Sequence, residues 1–384
     1  MKTNLLISAF LIFIVLIYSI LDIRSYNMKT INDFLKDQVD KGKTPSIQYA
    51  FFDRDSIIYE LQYGLKDVGQ SISTDSSTTY SLYSVTKTFT ALAVLQLVQS
   101  GKIDLNRSAA DYLPEFPYSS DITVEQLLSH TAGIPNPLPL RWIHLNEEHP
   151  AFNRDEFFKK IFKDHSALKS KPGTKFSYSN LGYVLLGQLV ERVSGQSFET
   201  YVKENIIARI GVKPKDLSFS IDPSTHAVGY HKWWSLSNFL FGFLIDKAKF
   251  MGAREGAWKP FRYFYNNGTA YGGITGTSES LIRYAQALLQ EESVLINNKY
   301  RNILFAEKRV DNKSTGMALS WYTGTLKGNQ YFCHAGGGGG YYVELRLYPD
   351  LGVGSVILYN RSGMTDERIL DRADTFFISE KENR

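Results

Sequence analysis

The sequence predicts a mixed α/β fold of the α+β kind, with an antiparallel sheet assembled from both chain ends and a mainly helical second region between them. Two observations carry this. Runs of strand character, "SIQYAFFD" and "SIIYELQYG" near the start and "MALSWYTG", "QYFCHAG", "YYVELRLYP" and "VGSVILYN" near the end, flank the middle of the chain. From Thr86 to roughly Gln290 the spacing of apolar residues is instead mostly helical and is broken by Pro- and Gly-containing turns. A third observation sets the scale: 384 residues, 43% hydrophobic and 21% charged, are enough for one large domain or two closely packed ones with a sizeable core.

In chain order, Leu5 to Leu21 is almost continuously apolar and follows Lys2. Seventeen residues at 1.5 Å each reach about 25 Å, close to a hydrocarbon core of ~30 Å. No small-x-small cleavage site follows, so the reading is an uncleaved signal anchor at residues 1–25, with the domain at 26–384 on the extracytoplasmic side; the alternative is a secreted or periplasmic protein after cleavage. Residues 22–30 are a polar connector. Ile31, Phe34, Leu35 and Val39 then share one helix face that ends near Gly42, and a hairpin is expected around Asp53 to Asp55. Thr123 and Gln126 are spaced as a helix capping box. The segment from Trp233 to Met251 is unusually apolar, which suits a buried helix or insertion, or a patch resting on lipid or lining an apolar substrate entrance. Ile369, Leu370, Ala373, Phe376 and Phe377 suggest a closing helix.

Composition excludes some functions. Net charge is +4, from 43 basic and 39 acidic residues scattered evenly, so nothing argues for a nucleic-acid partner. Cys333 is the only cysteine, which rules out an intrachain disulfide and a cysteine-built metal site. The seven histidines contain no His-Glu-x-x-His element, so no metal or organic cofactor is expected.

Chemistry is suggested where "YSLYSVTKTFTALAVLQLVQSG" begins. Val85, Phe89, Leu92, Ala93, Leu95, Leu97 and Val98 give a helix a broad buried side, and Gly101 ends it. Ser84 and Lys87 lie three residues apart on one face, within reach of each other. A serine hydroxyl needs a base, and a lysine serves as one only if burial or nearby cations depress its pKa. A helix cap beside a solvated lysine is the competing interpretation. The same spacing recurs at Ser166 and Lys169, but there it leads into a Pro-Gly turn.

Further segments separate the two. The stretch around Ser84, "TVEQLLSHTAG" at 123–133, "KPGTKFSYSNLGYVLLGQLVERVSG" at 171–195, "YGGITGTSESLIRYAQALL" and "CHAGGGGGYYVELRLYPDLGVGSVILYNRSG" together resemble the serine β-lactamase-like and penicillin-binding-protein-like hydrolases, especially the class C type. That family is similar to esterases, D-aminopeptidases and DD-carboxypeptidases as well as β-lactamases. The resemblance runs from about Ile31 to Phe377 and implies a β-lactamase/transpeptidase-like fold. It implies that Ser84 is acylated, that Lys87 activates it, that Tyr178 exchanges protons with nucleophile and leaving group, and that Asn180 binds substrate and orients the lysine. The backbone N–H groups of Ser84 and Gly337 would form an oxyanion hole, with Gly336 on the same substrate-facing strand edge.

One motif departs from the pattern. Most penicillin-recognising members have Lys-Thr-Gly where this chain has His334-Ala335-Gly336. A partly charged histidine anchors a substrate carboxylate more weakly than lysine, and Ala335 lacks the hydroxyl. Both differences argue against efficient β-lactam hydrolysis but leave acyl transfer intact. The glycine run is not a phosphate loop, since no Gly-Lys-Ser/Thr follows, and His130 is expected to support a turn near the site. The expected activity is a serine hydrolase acting on a small ester, amide or short peptide, esterase-like in the first instance. Peptidase, DD-carboxypeptidase or β-lactamase activity, and a silent ligand-binding relative, are the alternatives.

Overall fold

The computed structural model describes residues 30–234, 245–362 and 369–379. Seven strands form one antiparallel sheet: β1 (Ser46–Asp53), β2 (Ile57–Asp67), β3 (Ile72–Ser73), β4 (Tyr322–Leu326), β5 (Asn329–Gly338), β6 (Tyr341–Tyr348) and β7 (Val353–Tyr359). Their order is β4-β5-β6-β7-β1-β2-β3, so the two ends of the chain meet at the β7–β1 seam, where Ile47 pairs with Tyr359 and Asp53 with Val353. Alternation along β1 explains why it is buried almost throughout. Ala50 and Phe52 point into the large core shared with the helical region, whereas Ile47, Tyr49 and Phe51 point into a smaller core beneath the terminal helices.

Those helices are α1 (Ile31–Asp40), capped by Thr30, and α7 (Ile369–Asp374). Between the sheet segments lie α2 (Thr86–Gln99), α3 (Val124–Leu128), α4 (Arg154–Asp164), α5 (Asn180–Ser194) and α6 (Ser278–Leu289). The hairpin, the closing helix and the capping box at α3 form as expected, the last with both reciprocal bonds between Thr123 and Gln126. Helix α2 differs from expectation. Every residue from Thr86 to Leu95 is buried, polar ones included, because α5, the segments 198–207 and 269–272, the helix Asn298–Leu304 and Tyr284 of α6 pack around it. Lys87 therefore has no solvent side.

Among the described residues no helix is long and apolar enough to cross a membrane. This corrects the single-pass reading of localisation and the membrane as a partner through an N-terminal helix; the apolar run at residues 5–21 lies outside the described residues. Of the apolar segment 233–251, residues 235–244 also lie outside them. What is described is a short helical turn, Lys247–Phe250, with Ile245, Phe250 and Met251 buried and Trp234 exposed.

The smaller core contains a charged network that the apolar pattern hides. Glu344 and Arg346, on the outer face of β6, are buried and paired at 2.8 Å, and Arg346 also binds Asp371 at 2.7 Å. Asp374 of α7, fully buried, accepts hydrogen bonds from the hydroxyls of Tyr49 (3.0 Å), Tyr348 (2.9 Å) and Ser355 (2.8 Å). One carboxylate thus ties α7 to three strands. Asp374→Ala leaves three buried hydroxyls and a guanidinium short of a partner, and is expected to lower unfolding stability by about 3–5 kcal/mol in urea titrations.

Candidate active site

Ser84 sits at the junction of the two regions, on a 3₁₀ turn (Tyr83–Val85) that runs straight into α2. Two short strands set its height: Tyr80 and Ser81 pair with Gly276 and Thr275, and the Leu82 N–H bonds the Ile274 carbonyl at 2.9 Å. Tyr83 then takes a left-handed backbone (φ 45°), unusual for a bulky residue, and its hydroxyl bonds the Gly339 carbonyl at 2.8 Å. That strained turn lifts Ser84 into partial exposure. The end of β5 passes so close that a Cβ on Gly336 would lie 2.1 Å from the Leu82 carbonyl and 3.0 Å from Ser84 N, which only glycine permits.

Ser84 Oγ lies 3.1 Å from Lys87 Nζ and 2.8 Å from the Tyr178 hydroxyl, and the decoy pair Ser166 and Lys169 is exposed. Lys87 also donates to the Tyr271 carbonyl at 2.7 Å and is ringed by Tyr178, Tyr183 and Tyr271, whose centroids lie 5.1–5.5 Å from Nζ. Among the described residues no carboxylate bonds it, and burial drives its pKa well below the ordinary lysine range and favours the neutral amine. Burial moves the Tyr178 phenol the other way, well above its usual value, only partly offset by the bond to Ser84. Burial thus favours an amine lone pair and a phenolic proton side by side.

Helix α2 prepares this arrangement with its threonines. Thr90 Oγ1 donates to the Ala270 carbonyl at 2.6 Å, and Thr86 Oγ1 accepts from the Ile274 N–H at 3.2 Å, so the strip 270–274 is pinned beside Lys87 and presents Tyr271 O to it. Gly187 of α5 lets that strip approach, since a Cβ there would lie 2.6 Å from the Ala270 methyl. On the other side His130 holds Tyr178. Its carbonyl accepts from the Ser177 N–H at 2.7 Å, its Nδ1 accepts from the Ser179 N–H at 3.1 Å, and its ring packs 4.4 Å from the tyrosine ring. His130 has φ 56°, and burial together with the nearby Lys87 amine holds it neutral, which keeps Nδ1 an acceptor. Sequence reasoning assigned His130 only a turn and missed Tyr271, whose contribution is a carbonyl.

Asn180 begins α5 next to Tyr178, with its N–H bonded to Asn136 Oδ1 at 3.0 Å. Its own Oδ1 is buried without a partner, and the hydrogen bonds of Lys87 go to Ser84 and Tyr271 rather than to it. His334 departs from expectation as well. It is buried, donates Nδ1–H to the Ala335 carbonyl at 2.9 Å and is pushed down to about 3, first by burial and then by Lys87. Instead of a partly charged anchor it is a neutral ring behind the strand.

The cleft in front of Ser84 has a volume of about 110 Å³. Asn180, Asn266, Tyr271 and the backbone of Gly337–Gly339 line it together with the apolar side chains of Tyr83, Ile143, Ile245, Phe261 and Phe264. Gly336 supports the wall from behind. A larger cavity of about 510 Å³ beside His144 and His149 lies apart from the serine. Among the described residues no group of three His, Cys, Asp or Glu side chains is placed to hold a metal ion.

The sequence profile of the family described as Beta-lactamase matches residues 31–378. Protein flp of Staphylococcus aureus strain MW2 is 29% identical over 211 residues, 53% of this chain and 41% of that protein, so the match spans less than half of that relative's length. Among solved structures, the octameric penicillin-binding protein homologue from Pyrococcus abyssi superposes with a TM-score of 0.75 at 22% identity, covering 92% of this chain and 78% of that one. The D-amino acid amidase from Ochrobactrum anthropi SV3, complexed with D-phenylalanine, superposes with a TM-score of 0.71 at 17% identity, covering 89% and 96%.

The buried amine carries a measurable cost. Its folded pKa lies below the unfolded one, so between the two the unfolded chain binds the extra proton and the native state loses stability as pH falls. Lys87→Met removes that term. Its stability relative to the parent is expected to rise as pH is lowered from about 9 toward 7, by up to ~1.4 kcal/mol per pH unit in denaturant titrations.

Proposed function

The chain belongs to the beta-lactamase family, and on that footing we propose that it is a serine hydrolase in which Ser84 forms an acyl-enzyme with an amide or short peptide, of the D-amino-acid type. The carrying observation is the position of Ser84 Oγ between Lys87 Nζ and the Tyr178 hydroxyl. As Ser84 Oγ bonds to the carbonyl carbon, its proton passes to the Lys87 lone pair. The negative oxygen is held by the Ser84 and Gly337 N–H groups, donors of a kind worth about 3 kcal/mol each. Tyr178 gives its phenolic proton to the departing nitrogen as the C–N bond breaks, and Lys87 returns a proton to the phenolate. Water then attacks the acyl group and gives a proton to the Lys87 lone pair, and as the acyl C–Oγ bond breaks Lys87 passes that proton to Ser84 Oγ.

Two considerations favour an amide over the ester expected from sequence. An amine leaves only when protonated, and the high pKa of Tyr178 keeps a proton at hand for it. The D-amino-acid class is suggested by the likeness to the amidase, together with the fold shared with penicillin-binding proteins.

The test uses the full chain with a fluorophosphonate, D-leucine p-nitroanilide and p-nitrophenyl butyrate, following intact mass and released chromophore. One adduct per chain is expected, with turnover of the anilide, and Ser84→Ala should abolish both. A folded parent that takes no adduct and turns over neither substrate sinks the proposal. Tyr178→Phe should lower kcat/KM by about 10²–10⁴ on the anilide and far less on the ester, whose nitrophenolate departs without a proton. His130→Phe keeps a ring against Tyr178 but leaves the Ser179 N–H without its acceptor, and should reduce kcat about five- to thirtyfold with little change in KM.

A further inference from the structure

The cleft is small, and among the described residues none of its lining side chains is ionic; its walls are the rings of Tyr83, Phe261 and Phe264 with Ile143 and Ile245. Phe261 and Phe264 stand 6.1 Å apart and press on Gly339, where a Cβ would lie 2.9 Å from Phe264, so the strand edge and the rings close on each other. Behind the walls Lys87 and His334 are buried, Lys87 bonded to the Tyr271 carbonyl and His334 Nδ1 to the Ala335 carbonyl. Asn180 supplies one unsatisfied acceptor, Oδ1, which calls for a donor such as an amide N–H.

The geometry also says which half of a substrate enters. The carbonyl under attack lies between Ser84 and Gly337, and both are in the cleft wall. Tyr178, the proton donor to the leaving group, is not. The cleft therefore receives the acyl half, and the leaving group departs on the Tyr178 side. A dry cavity of about 150 Å³ admits a benzene ring, so 110 Å³ holds roughly four carbon atoms beyond the carbonyl.

We propose that this cleft selects an acyl group whose side chain is short and apolar, about the size of a pentanoyl chain or a leucine side chain, and rejects acyl groups whose side chain carries a carboxylate. The inference rests on the acyl-enzyme reading above. Each methylene that moves from water into the cleft should raise kcat/KM about fourfold until the space is filled. An acyl carboxylate would lose its water and find no counter-charge.

The experiment measures kcat/KM of the full chain on p-nitrophenyl acetate, propionate, butyrate, pentanoate, hexanoate and octanoate, and on the p-nitrophenyl monoester of glutaric acid, with Ser84→Ala rates subtracted. A rise to roughly pentanoate followed by a plateau or fall is expected, with the glutarate ester at least about a hundredfold below pentanoate. A rise continuing to octanoate, or a glutarate rate within tenfold of pentanoate, overturns the proposal. Phe264→Ala, checked for folding by circular dichroism, should move the optimum at least two carbons longer; an unchanged optimum in the folded variant overturns the placement of the acyl group. Fluorophosphonate labelling separates the two levels. Labelling and turnover without the chain-length and charge pattern defeat this inference alone, whereas absence of both defeats the acyl-enzyme reading with it.

Discussion

The structure around Ser84 depends on one unfavourable act, the placing of a lysine amine where water cannot reach it. An exposed lysine beside a serine is a spectator at neutral pH, because its lone pair is occupied by a proton. Burial reverses that, and the rest of the site is arranged so that burial does not abolish the fold. A carbonyl, Tyr271 O, takes one N–H, and three aromatic faces surround the remainder with enough electron density to tolerate the group without fixing a full positive charge beside it. Among the described residues no carboxylate bonds it, and one that did would raise the pKa again. The threonines of α2 and the missing side chain of Gly187 make sense from here, since they bring the 270–274 strip to the lysine.

A second requirement is that a helix and a sheet edge meet without side chains between them. Ser84 comes from the helical region and Gly337 from β5, and their N–H groups can act on one oxygen only if the two backbones almost touch. Gly336 removes the Cβ that would prevent it. Tyr83, forced to a left-handed backbone, then locks the turn to the strand through Gly339. Strain at Tyr83 and freedom at Gly336 are thus two halves of one junction.

Much of this was legible in the sequence, for physical reasons. Period-two and period-3.6 patterns place β1, β2, α1 and the closing helix because their cores demand it, and Ser84, Lys87 and Tyr178 stand in motifs whose order allows them to converge. What the patterns hide is context. Lys87 and His334 are polar letters, and nothing local says that α2 is enclosed on every side or that His334 faces inward and stays neutral. Tyr271 acts through a backbone oxygen, which has no letter at all. The Glu344, Arg346 and Asp374 network is hidden for the same reason, since charged residues on a strand read as a wet face until α7 covers them. The membrane reading failed at a different level, as no described helix is suited to span a bilayer.

The seam between β1 and β7 has a consequence in time. Asn360, just after β7, accepts from the Ser46 backbone N–H at 2.8 Å across 314 positions of chain. As the ribosome emits this domain, β1 appears well before β7, its partner at the seam. Until β7 emerges, β1 is paired only with β2 and keeps one edge open in a strand rich in aromatic residues, the kind of edge that invites association with neighbours. The helical middle can collapse sooner, because its contacts are more local. The strand edge that meets Ser84 belongs to β5, which follows the helical middle in the chain, so the nascent chain stays without a finished site until β5 has been made.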